Sequence, residues 1–226
     1  MKILVAEDDP LTRESIATSL EREGFDVIAV ADGEEAIAAW RSRKPDLLCL
    51  DIMMPGRDGF AVCREVRGED ARIPILFLSA KNEEIDVVVG LELGADDFIR
   101  KPFGKRELIA RIRGAFRRHR GVESEPRSSF GFGTWTVFAR ELRAEGEGGE
   151  VDLTPREVSI LQLLQARQGE VVSRDELLNE CWGIDYFPES RTLDQHISKL
   201  RRNLNDDPEE SSLIETIRGV GYRFPR

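Results

Sequence analysis

Acidic, hydroxyl and ammonium side chains stand directly after the apolar runs in the first half of this sequence. They are Asp8, Asp9, Asp51, Ser79 and Lys101. Carboxylates gathered without partners repel one another, so the three acids predict a divalent cation, and oxygen ligands of this kind suit Mg²⁺. Beside such a cation a carboxylate can attack phosphorus, while a hydroxyl and an ammonium help to neutralise the charge on the equatorial oxygens. We interpret Asp51, in the stretch LLCLDIMMPG, as a phosphoacceptor.

The same acids have a simpler interpretation. An aspartate after a strand is commonly a turn or helix-cap residue, and the sequence Asp8-Asp9-Pro10 alone would cap a helix well. The match of several strand ends at once favours chemistry over coincidence, because a multi-part motif is harder to produce by chance than a single acid.

These side chains meet only if the first half of the chain folds as a parallel sheet. Strand-like runs cover 2–6, 25–30, 46–50, 75–78 and 97–100, and amphipathic stretches lie near 11–23, 33–43, 58–68, 84–93 and 104–118. The runs are nearly all apolar rather than alternating, which indicates strands covered on both faces. The pattern predicts a doubly wound, flavodoxin-like α/β domain with strand order 2-1-3-4-5 and a crevice at the carboxyl ends of its strands.

A different pattern begins after the polar stretch HRGVESEPRSS, which has no periodicity and is typical of a linker. Short strand-like pieces with glycine turns are followed by helices capped at Thr154 and Ser173 and by a third helix over about 191–204. The final IETIRGVGYRF is typical of a hairpin. The pattern predicts an α+β winged helix-turn-helix domain, with the chain divided into 1–118, a linker at 119–129, and 130–226.

Composition and charge restrict the protein class further. No apolar stretch approaches the roughly 20 residues that span a bilayer, and the first residues lack the form of a signal peptide. Cys49, Cys63 and Cys181 lack any CxxC spacing, so neither a zinc site nor a disulfide framework is expected. We therefore expect a cytoplasmic protein without a membrane segment. The net charge of −10 means that any binding to DNA must come from a local basic patch.

Several motifs carry a family resemblance that covers nearly the whole chain. VAEDDP, LLCLDIMMPGRDG, ILFLSA and LGADDFIRKPF resemble the receiver domain of two-component response regulators, and RTLDQHISKLRRNL with IETIRGVGYRF resembles the effector domain of the OmpR/PhoB subfamily. The resemblance implies a phosphorylation-activated, sequence-specific transcriptional regulator rather than an enzyme. Its Asp51 would be phosphorylated by a partner sensor histidine kinase.

The resemblance also implies roles for the residues around Asp51. Magnesium ligands would be Asp8, Asp9, Asp51 and the backbone carbonyl of Met53. Ser79 and Phe98 would be switch residues, with Phe98 at a position that is often tyrosine in the family. Lys101 would hold the phosphoryl group and precede a cis peptide bond to Pro102.

A homodimer of the phosphorylated protein is a further implication. The implied interface consists of Val88, Leu91, Asp96, Asp97, Glu107, Ala110, Arg111 and Arg118. Asp97–Arg111 and Asp96–Arg118 would be cross-subunit ion pairs. Glu107 pairs in the family with a basic residue at position 87, where this chain has Val87. This departure either alters the dimer or merely widens its apolar patch, since one exposed pair is worth only about 0–1 kcal/mol.

The third helix of the second domain is the candidate DNA reader. Leu193, Ile197, Leu200 and Leu204 recur at helical spacing and form its core face. The other face and the hairpin wing give the predicted contacts with DNA direct repeats: Arg191, Thr192, Gln195, His196, Ser198, Lys199, Arg201, Arg202, Thr216, Arg218 and Tyr222. His196 is equally compatible with a plain helix-surface position. The segment WGIDYFPES corresponds to one that meets RNA polymerase in the family, although Trp182, Tyr186 and Phe187 also suit a core.

A magnesium-dependent phosphatase or phosphotransferase is the competing hypothesis. Haloacid-dehalogenase-like enzymes also use a strand-end aspartate as nucleophile, but they carry a second acid two residues later, where this chain has Met53. Without a general acid or base at that position, turnover of an acyl phosphate is expected to be slow. A constitutive DNA binder with a degenerate receiver is disfavoured because the motif residues of the pocket are all present in the sequence.

Overall fold

The computed structural model describes residues 1–79, 89–90, 93–121, 129–182, 192–206 and 213–225, with the backbone alone for 117–121 and 192. The chain divides into two compact units, Met1–Phe116 and Arg117–Arg226. Among the helices that the structure describes, none combines the length and the apolar character needed to cross a membrane.

Unit 1 is a parallel sheet with helices between its strands. The elements are β1 Lys2–Ala6, α1 Pro10–Glu21, β2 Asp26–Val30, α2 Gly33–Arg43, β3 Leu47–Asp51, α3 Gly59–Glu69, β4 Ile75–Ser79, β5 Asp97–Arg100 and α4 Lys105–Gly121. All neighbouring strands are parallel and the order is β2-β1-β3-β4-β5, which confirms the predicted topology. Helix α4 continues to Gly121, three residues into the predicted linker, and the predicted helix at 84–93 lies mostly outside the described residues.

The sheet of unit 1 is buried on both faces, which explains why its strands are apolar at nearly every position. Leu4, Leu50 and Phe77 belong to one core cluster, with residues of α2 and α3. Val5 and Cys49 belong to the other, with residues of α1 and α4. Adjacent side chains of a strand point to opposite faces, so each face needs its own apolar set.

Aspartates begin the three helices that follow β1, β2 and β3. The backbone N–H groups of Thr12, Glu35 and Ala61 donate to the carboxylates of Asp9, Asp32 and Asp58 respectively, at 2.7–2.8 Å. Such caps satisfy N–H groups that have no partner within the helix. They fix where each helix begins, and so how long the loops at the carboxyl edge of the sheet are.

The described residues of unit 2 form an antiparallel sheet, three helices and a second, smaller sheet. Its elements are β6 Phe130–Phe132, β7 Trp135–Phe138, β8 Arg143–Gly146, β9 Gly149–Asp152, α5 Pro155–Ala166, β10 Val172–Ser173, α6 Arg174–Trp182, α7 Thr192–Asn203, β11 Glu215–Ile217 and β12 Gly221–Arg223. The sheet orders are β6-β7-β8-β9 and β10-β12-β11. The capping box of Thr154 and Glu157 is confirmed at the start of α5. The β11–β12 hairpin turns at Gly219, whose φ of 73° favours glycine. This arrangement is that of a winged helix.

Gly59, the first residue of α3, lets that helix approach the strand that ends at Asp51. A Cβ atom at position 59 would lie 2.2 Å from the backbone oxygen of Asp51, whereas one at Gly68 in the same helix would meet nothing within 4 Å. We expect Gly59→Ala to destabilise unit 1 by about 1–3 kcal/mol through overpacking. Gly68→Ala, the matched control, should cause no loss or a slight gain. Hydrogen exchange of the β3 amides in increasing urea would measure both. Equal effects of the two substitutions would contradict the proposed close approach.

Candidate phosphoacceptor site and nucleic-acid interface

Three carboxylates meet at the carboxyl edge of the sheet in unit 1. Glu7 and Asp8 follow β1 and Asp51 ends β3, and one ligand atom from each lies within 4.8 Å of the others. Glu7 and Asp51 are 1 % and 4 % exposed, while Asp8 is exposed to solvent. Oxygen atoms at these separations could bind one hard divalent cation.

The Lys101 ammonium joins the two buried carboxylates. Its Nζ lies 2.7 Å from Oδ2 of Asp51 and 2.6 Å from Oε2 of Glu7. The backbone N–H of Lys101 donates to the carbonyl of Ser79 at 2.7 Å, which continues the β4–β5 pairing to the edge of the pocket. The Lys101–Pro102 peptide bond is cis, as the family resemblance implies.

Burial and charge compete in this cluster. Burial raises the pKa of Glu7 to about 7, against the hydrogen bond from Lys101, and the nearby charge of Asp51 raises it further. Burial alone would lower the pKa of Lys101, but its contacts with Asp51 and Glu7 outweigh burial and raise it. The lysine therefore stays protonated, and the pocket retains an excess of negative charge near neutral pH.

Asp9 does not belong to the pocket, so its prediction as a magnesium ligand is wrong. Its Oδ1 accepts the N–H of Thr12 at 2.7 Å and caps α1. Hydrogen bonds from the Thr12 side chain and backbone hold the pKa of Asp9 below its usual value. The place assigned to Asp9 is taken by Glu7, which sequence reasoning missed. A signal was present in Pro10, because proline at the first helical position marks the preceding acid as the cap and leaves the two acids before it for the pocket.

Arg13 fixes the loop that carries the first two acids. Its Nη1 donates to the backbone carbonyls of Glu7 at 2.5 Å and Asp8 at 3.0 Å. A guanidinium between two successive carbonyls restricts the backbone of both acids. It also places a positive charge at the edge of an acidic pocket.

Two further residues border Asp51. The N–H of Met53 donates to Oδ1 of Asp51 at 3.2 Å, and the Met53 side chain is 54 % exposed. Ser79 ends β4 and is fully buried. Phe98 is also buried and packs against Phe77, with ring centroids 6.3 Å apart. The switch roles of Ser79 and Phe98 stay predictions.

Ion pairs within the chain occupy the face of β5 and α4 that sequence analysis assigned to a dimer. Arg111 is buried, and its Nη1 lies 2.9 Å from Asp97 while its Nη2 lies 3.0 Å from Glu107. Glu107 thus has an in-chain partner, and the effect of Val87 on a cross-subunit pair with Glu107 stays a prediction. Ala110 on the same helix is half-buried.

Asp96 also has hydrogen-bond partners within the chain. Oδ2 of Asp96 accepts a hydrogen bond from Nη2 of Arg67 at 2.9 Å and another from the N–H of Ile75 at 3.0 Å. Asp96 is buried. Both contacts use Oδ2, and the implied pairing of Asp96 with Arg118 of a second subunit stays a prediction. The side chains of Val88, Leu91 and Arg118 lie outside the described residues.

In unit 2, helix α7 presents a narrow exposed stripe beside the wing. Leu193, Ile197 and Leu200 are buried, as their spacing predicts. Ser198 and Arg202 are exposed and Gln195 is half-exposed. On the β11–β12 hairpin Thr216 and Arg218 are exposed. Arg191 and the side chain of Thr192 lie outside the described residues.

Two predicted DNA contacts are wrong because their side chains are buried. The His196 ring has no exposed surface and packs beside Trp182, with centroids 5.3 Å apart. Tyr222 is also buried, and its hydroxyl donates to Asp194 at the start of α7. Trp182 is buried in the core, which agrees with the alternative given for its segment. Tyr186 and Phe187 lie outside the described residues.

Two cations of α7 are turned away from the exposed stripe. Nζ of Lys199 lies 3.2 Å from Oε1 of Glu157 on α5. Arg201 donates through Nε to the carbonyl of Ile214 at 3.1 Å and through Nη2 to the hydroxyl of Thr216 at 2.8 Å. Both side chains hold other elements of unit 2 to the helix, so we do not propose Lys199 and Arg201 as DNA contacts.

Comparison with known proteins gives matches along most of the chain. The family described as response regulator receiver domain matches residues 3–113, and the family described as transcriptional regulatory protein, C terminal, matches 148–224. The transcriptional regulatory protein AfsQ1 of Streptomyces coelicolor is 42 % identical over 98 % of this chain and 97 % of its own length.

Solved structures resemble the chain as well. The BeF3-activated receiver domain of Klebsiella pneumoniae RstA is 38 % identical, with a TM-score of 0.50, over 52 % of this chain and 99 % of its own. DrrB, an OmpR/PhoB homologue from Thermotoga maritima, is 29 % identical, with a TM-score of 0.52, over 100 % of this chain and 99 % of its own.

The raised pKa of Glu7 predicts a pH dependence of stability. Its pKa is about 7 in the folded chain and near 4.5 ordinarily, so the folded state holds the proton more tightly between these values. The contribution of Glu7 to the free energy of unfolding therefore falls as pH rises from about 4.5 to 7. We expect the stability of Glu7→Gln relative to wild type to grow through that window and to level off above it, in urea unfolding with EDTA present.

Asp9→Asn is the matched control for this titration. Because the pKa of Asp9 is lowered from 3.8, its carboxylate stays charged throughout the window in both states, and its difference from wild type should stay constant. A Glu7→Gln difference that is equally constant would contradict the raised pKa.

Proposed function

Because this chain belongs to the response regulators of OmpR/PhoB type, which join a receiver domain to a DNA-binding transcriptional regulatory domain, we propose that Asp51 accepts a phosphoryl group from a partner sensor histidine kinase. The observation that carries the proposal is the ammonium of Lys101, shared between Asp51 and Glu7, with Asp8 beside them. In this step an oxygen of Asp51 bonds to phosphorus as the phosphorus–nitrogen bond of the donor's phosphohistidine breaks. Lys101 then faces the new phosphoryl oxygens.

The donor set of the pocket fits Mg²⁺. Three carboxylates face one lysine ammonium, so the pocket has an excess of negative charge that a divalent cation would offset. Glu7, Asp8 and Asp51, with the backbone carbonyl of Met53, would hold the ion. When bound, it would neutralise charge on the transferring phosphoryl group.

The pocket supports a switch better than a phosphatase. An enzyme of that kind needs a general acid or base near the nucleophile, and position 53, two residues on, carries an exposed methionine instead. Hydrolysis of the aspartyl phosphate would be slow, so that the phosphorylated state persists long enough to act on DNA.

Phosphorylation would be transmitted through Ser79 and Phe98 to the β5–α4 face, where we propose that two receivers pair. A cross-subunit pair of Asp97 with Arg111 would replace the in-chain contacts of Arg111 with Asp97 and Glu107. Ala110 would contribute to the apolar part of the interface, together with Val88 and Leu91, and Arg118 would lie at its edge. Exchange of one ion pair for another of equal kind changes the free energy little, so the apolar contact would supply most of the gain.

For DNA we propose that α7 enters the major groove and that the wing contacts the backbone. The proposed contacts are Arg191, Thr192, Gln195, Ser198, Arg202, Thr216 and Arg218. Gln195 can pair with adenine, and Arg202 and Arg218 can neutralise phosphates. One such module binds weakly, so dimers on direct repeats about 10–11 base pairs apart would gain affinity by effective concentration. The segment 183–190 is our candidate contact with RNA polymerase.

Substitution of Asp51 tests the acceptor. We expect Asp51→Asn to lose labelling by a small acyl-phosphate donor, since an amide cannot serve as the nucleophile. The measurement is the mass of the intact chain after reaction with Mg²⁺ present. A phosphoryl adduct that persists in Asp51→Asn would contradict the proposal.

Substitution of the neighbouring acids tests the metal site. Glu7→Gln and Asp8→Asn should each raise the Mg²⁺ concentration that half-maximal labelling requires. Asp9→Asn, one residue further along, should leave it unchanged because Asp9 caps α1. Direct titration of Mg²⁺ without the phosphate donor should show weaker Mg²⁺ binding in Glu7→Gln and Asp8→Asn than in wild type, and unchanged binding in Asp9→Asn. A requirement for Asp9 equal to that for Asp8 would overturn the assignment.

Coupling between the two domains is tested on DNA. Phosphorylation of the full chain should tighten its binding to paired sites, whereas the fragment 130–226, which contains no Asp51, should be unaffected by the phosphate donor. Arg202→Ala should weaken binding to all sequences and reduce the slope of log K against log salt by about one. Footprinting and salt titration measure these effects. Unphosphorylated full chain that binds one site as tightly as the phosphorylated form binds the pair would contradict the mechanism.

A further inference from the structure

Glu157 uses its two carboxylate oxygens for different elements of the effector domain. Oε2 accepts the N–H of Thr154 at 2.7 Å and closes the capping box of α5. Oε1 lies 3.2 Å from Nζ of Lys199 in the middle of α7. Glu157 has no exposed surface, and the Lys199 side chain is 14 % exposed. One buried carboxylate therefore connects the beginning of α5 with the helix proposed to read DNA.

Lys199 is placed beside the exposed stripe of α7 but does not belong to it. Ser198 and Arg202 are exposed, and Gln195 is half-exposed one turn earlier. The ammonium of Lys199 points instead to the first turn of α5, where it balances a charge that would otherwise be buried alone. Loss of one partner from a buried ion pair leaves the other uncompensated, which is more harmful than neutralising both.

Other contacts hold the two ends of α7, and only the one at the first turn is exposed. At the first turn Arg174 donates to Asp194 through Nη2 at 2.8 Å, and both side chains are more than one-third exposed. At the last turn Arg201, whose side chain is 12 % exposed, donates to the carbonyl of Ile214. The exposed pair at the first turn constrains the helix weakly, whereas the buried apolar face, Arg201 and the Lys199–Glu157 pair hold it to the domain. Of these contacts, the Lys199–Glu157 pair joins the polar side of α7 to α5, so it contributes to how α7 is rotated about its axis. That rotation decides whether Gln195, Ser198 and Arg202 face the base edges together.

We infer that Lys199 is a positioning residue for DNA recognition, which acts through Glu157 on the orientation of α7 and not through contact with DNA. The inference rests on the proposed reading of DNA by α7. It predicts a loss of sequence discrimination without a loss of phosphate contacts. A residue that touches DNA phosphates would show the opposite pattern, since removal of each such contact flattens the salt dependence.

The test compares Lys199→Met, Glu157→Gln and the double variant in the phosphorylated full chain. The probes are a duplex that the wild type enriches from a randomised library and a shuffled duplex of equal length, each titrated over a range of salt. Glutamine at position 157 keeps an oxygen for the Thr154 N–H but carries no charge. Arg202→Met is the control for a phosphate contact, and Arg167→Met is the control for loss of an exposed ion pair elsewhere in the domain.

We expect Lys199→Met to weaken binding to the enriched duplex by about ten-fold, the scale of one lost base contact, with the salt slope of wild type. Addition of Glu157→Gln removes the unpaired buried charge and should restore part of the affinity. The ratio of affinities for the enriched and shuffled duplexes should stay below that of wild type, because the pair that orients α7 is still absent. Arg202→Met should lower the slope by about one and Arg167→Met should change nothing. If Lys199→Met fails to fold, the salt dependence of DNA binding by the double variant is the deciding measurement.

A slope reduced by about one in Lys199→Met or in the double variant would overturn the inference, because Lys199 would then touch phosphate itself. Wild-type affinity in Lys199→Met would overturn it as well. Failure of the wild type to enrich any duplex would instead overturn the proposed DNA recognition, so the two failures are distinguishable.

Discussion

The receiver pocket depends on one ammonium group that two buried carboxylates share. Lys101 follows β5, Glu7 follows β1 and Asp51 ends β3, so three strand ends are joined at one point. Without the lysine, two nearly fully buried carboxylates would repel each other at the edge of the sheet. The caps of α1 and α3 and the close approach of Gly59 fix the loops around this point. The pocket is thus a property of the whole sheet and not of one loop.

The sheet and the position of Asp51 at its carboxyl edge were predictable from the sequence, because both leave local signals. Strands buried on two faces must be apolar at nearly every position, and an acid directly after such a strand stands out. The sequence did not distinguish Glu7 from Asp9. Three successive acids, Glu7, Asp8 and Asp9, could each cap α1 or line the pocket. Only the cap geometry distinguishes them: Asp9 accepts the N–H of Thr12, while Glu7 is still paired through its own N–H with the carbonyl of Val30.

Helical periodicity was a weaker guide on α7. It identified Leu193, Ile197 and Leu200 as core correctly, since short apolar side chains follow the direction of their Cα–Cβ bonds. It could not place Lys199 or Arg201, because long side chains reach around the helix to partners that are distant in sequence. The partners Glu157 and Ile214 come from other elements, so these contacts are tertiary. Asp96 likewise has a partner distant in sequence, Arg67 on α3.

The arrangement of α7 separates the residues that hold the helix from those that face outward. Buried apolar residues and Lys199 fix its position, whereas Ser198 and Arg202 are exposed and contact solvent. Exchange of exposed residues of this kind usually changes folding stability little. If α7 reads DNA as proposed, single substitutions on this stripe would give the chain new promoter preferences and leave the fold intact. Duplicated copies of such a gene would then diverge in the genes they control while each remains folded at every step.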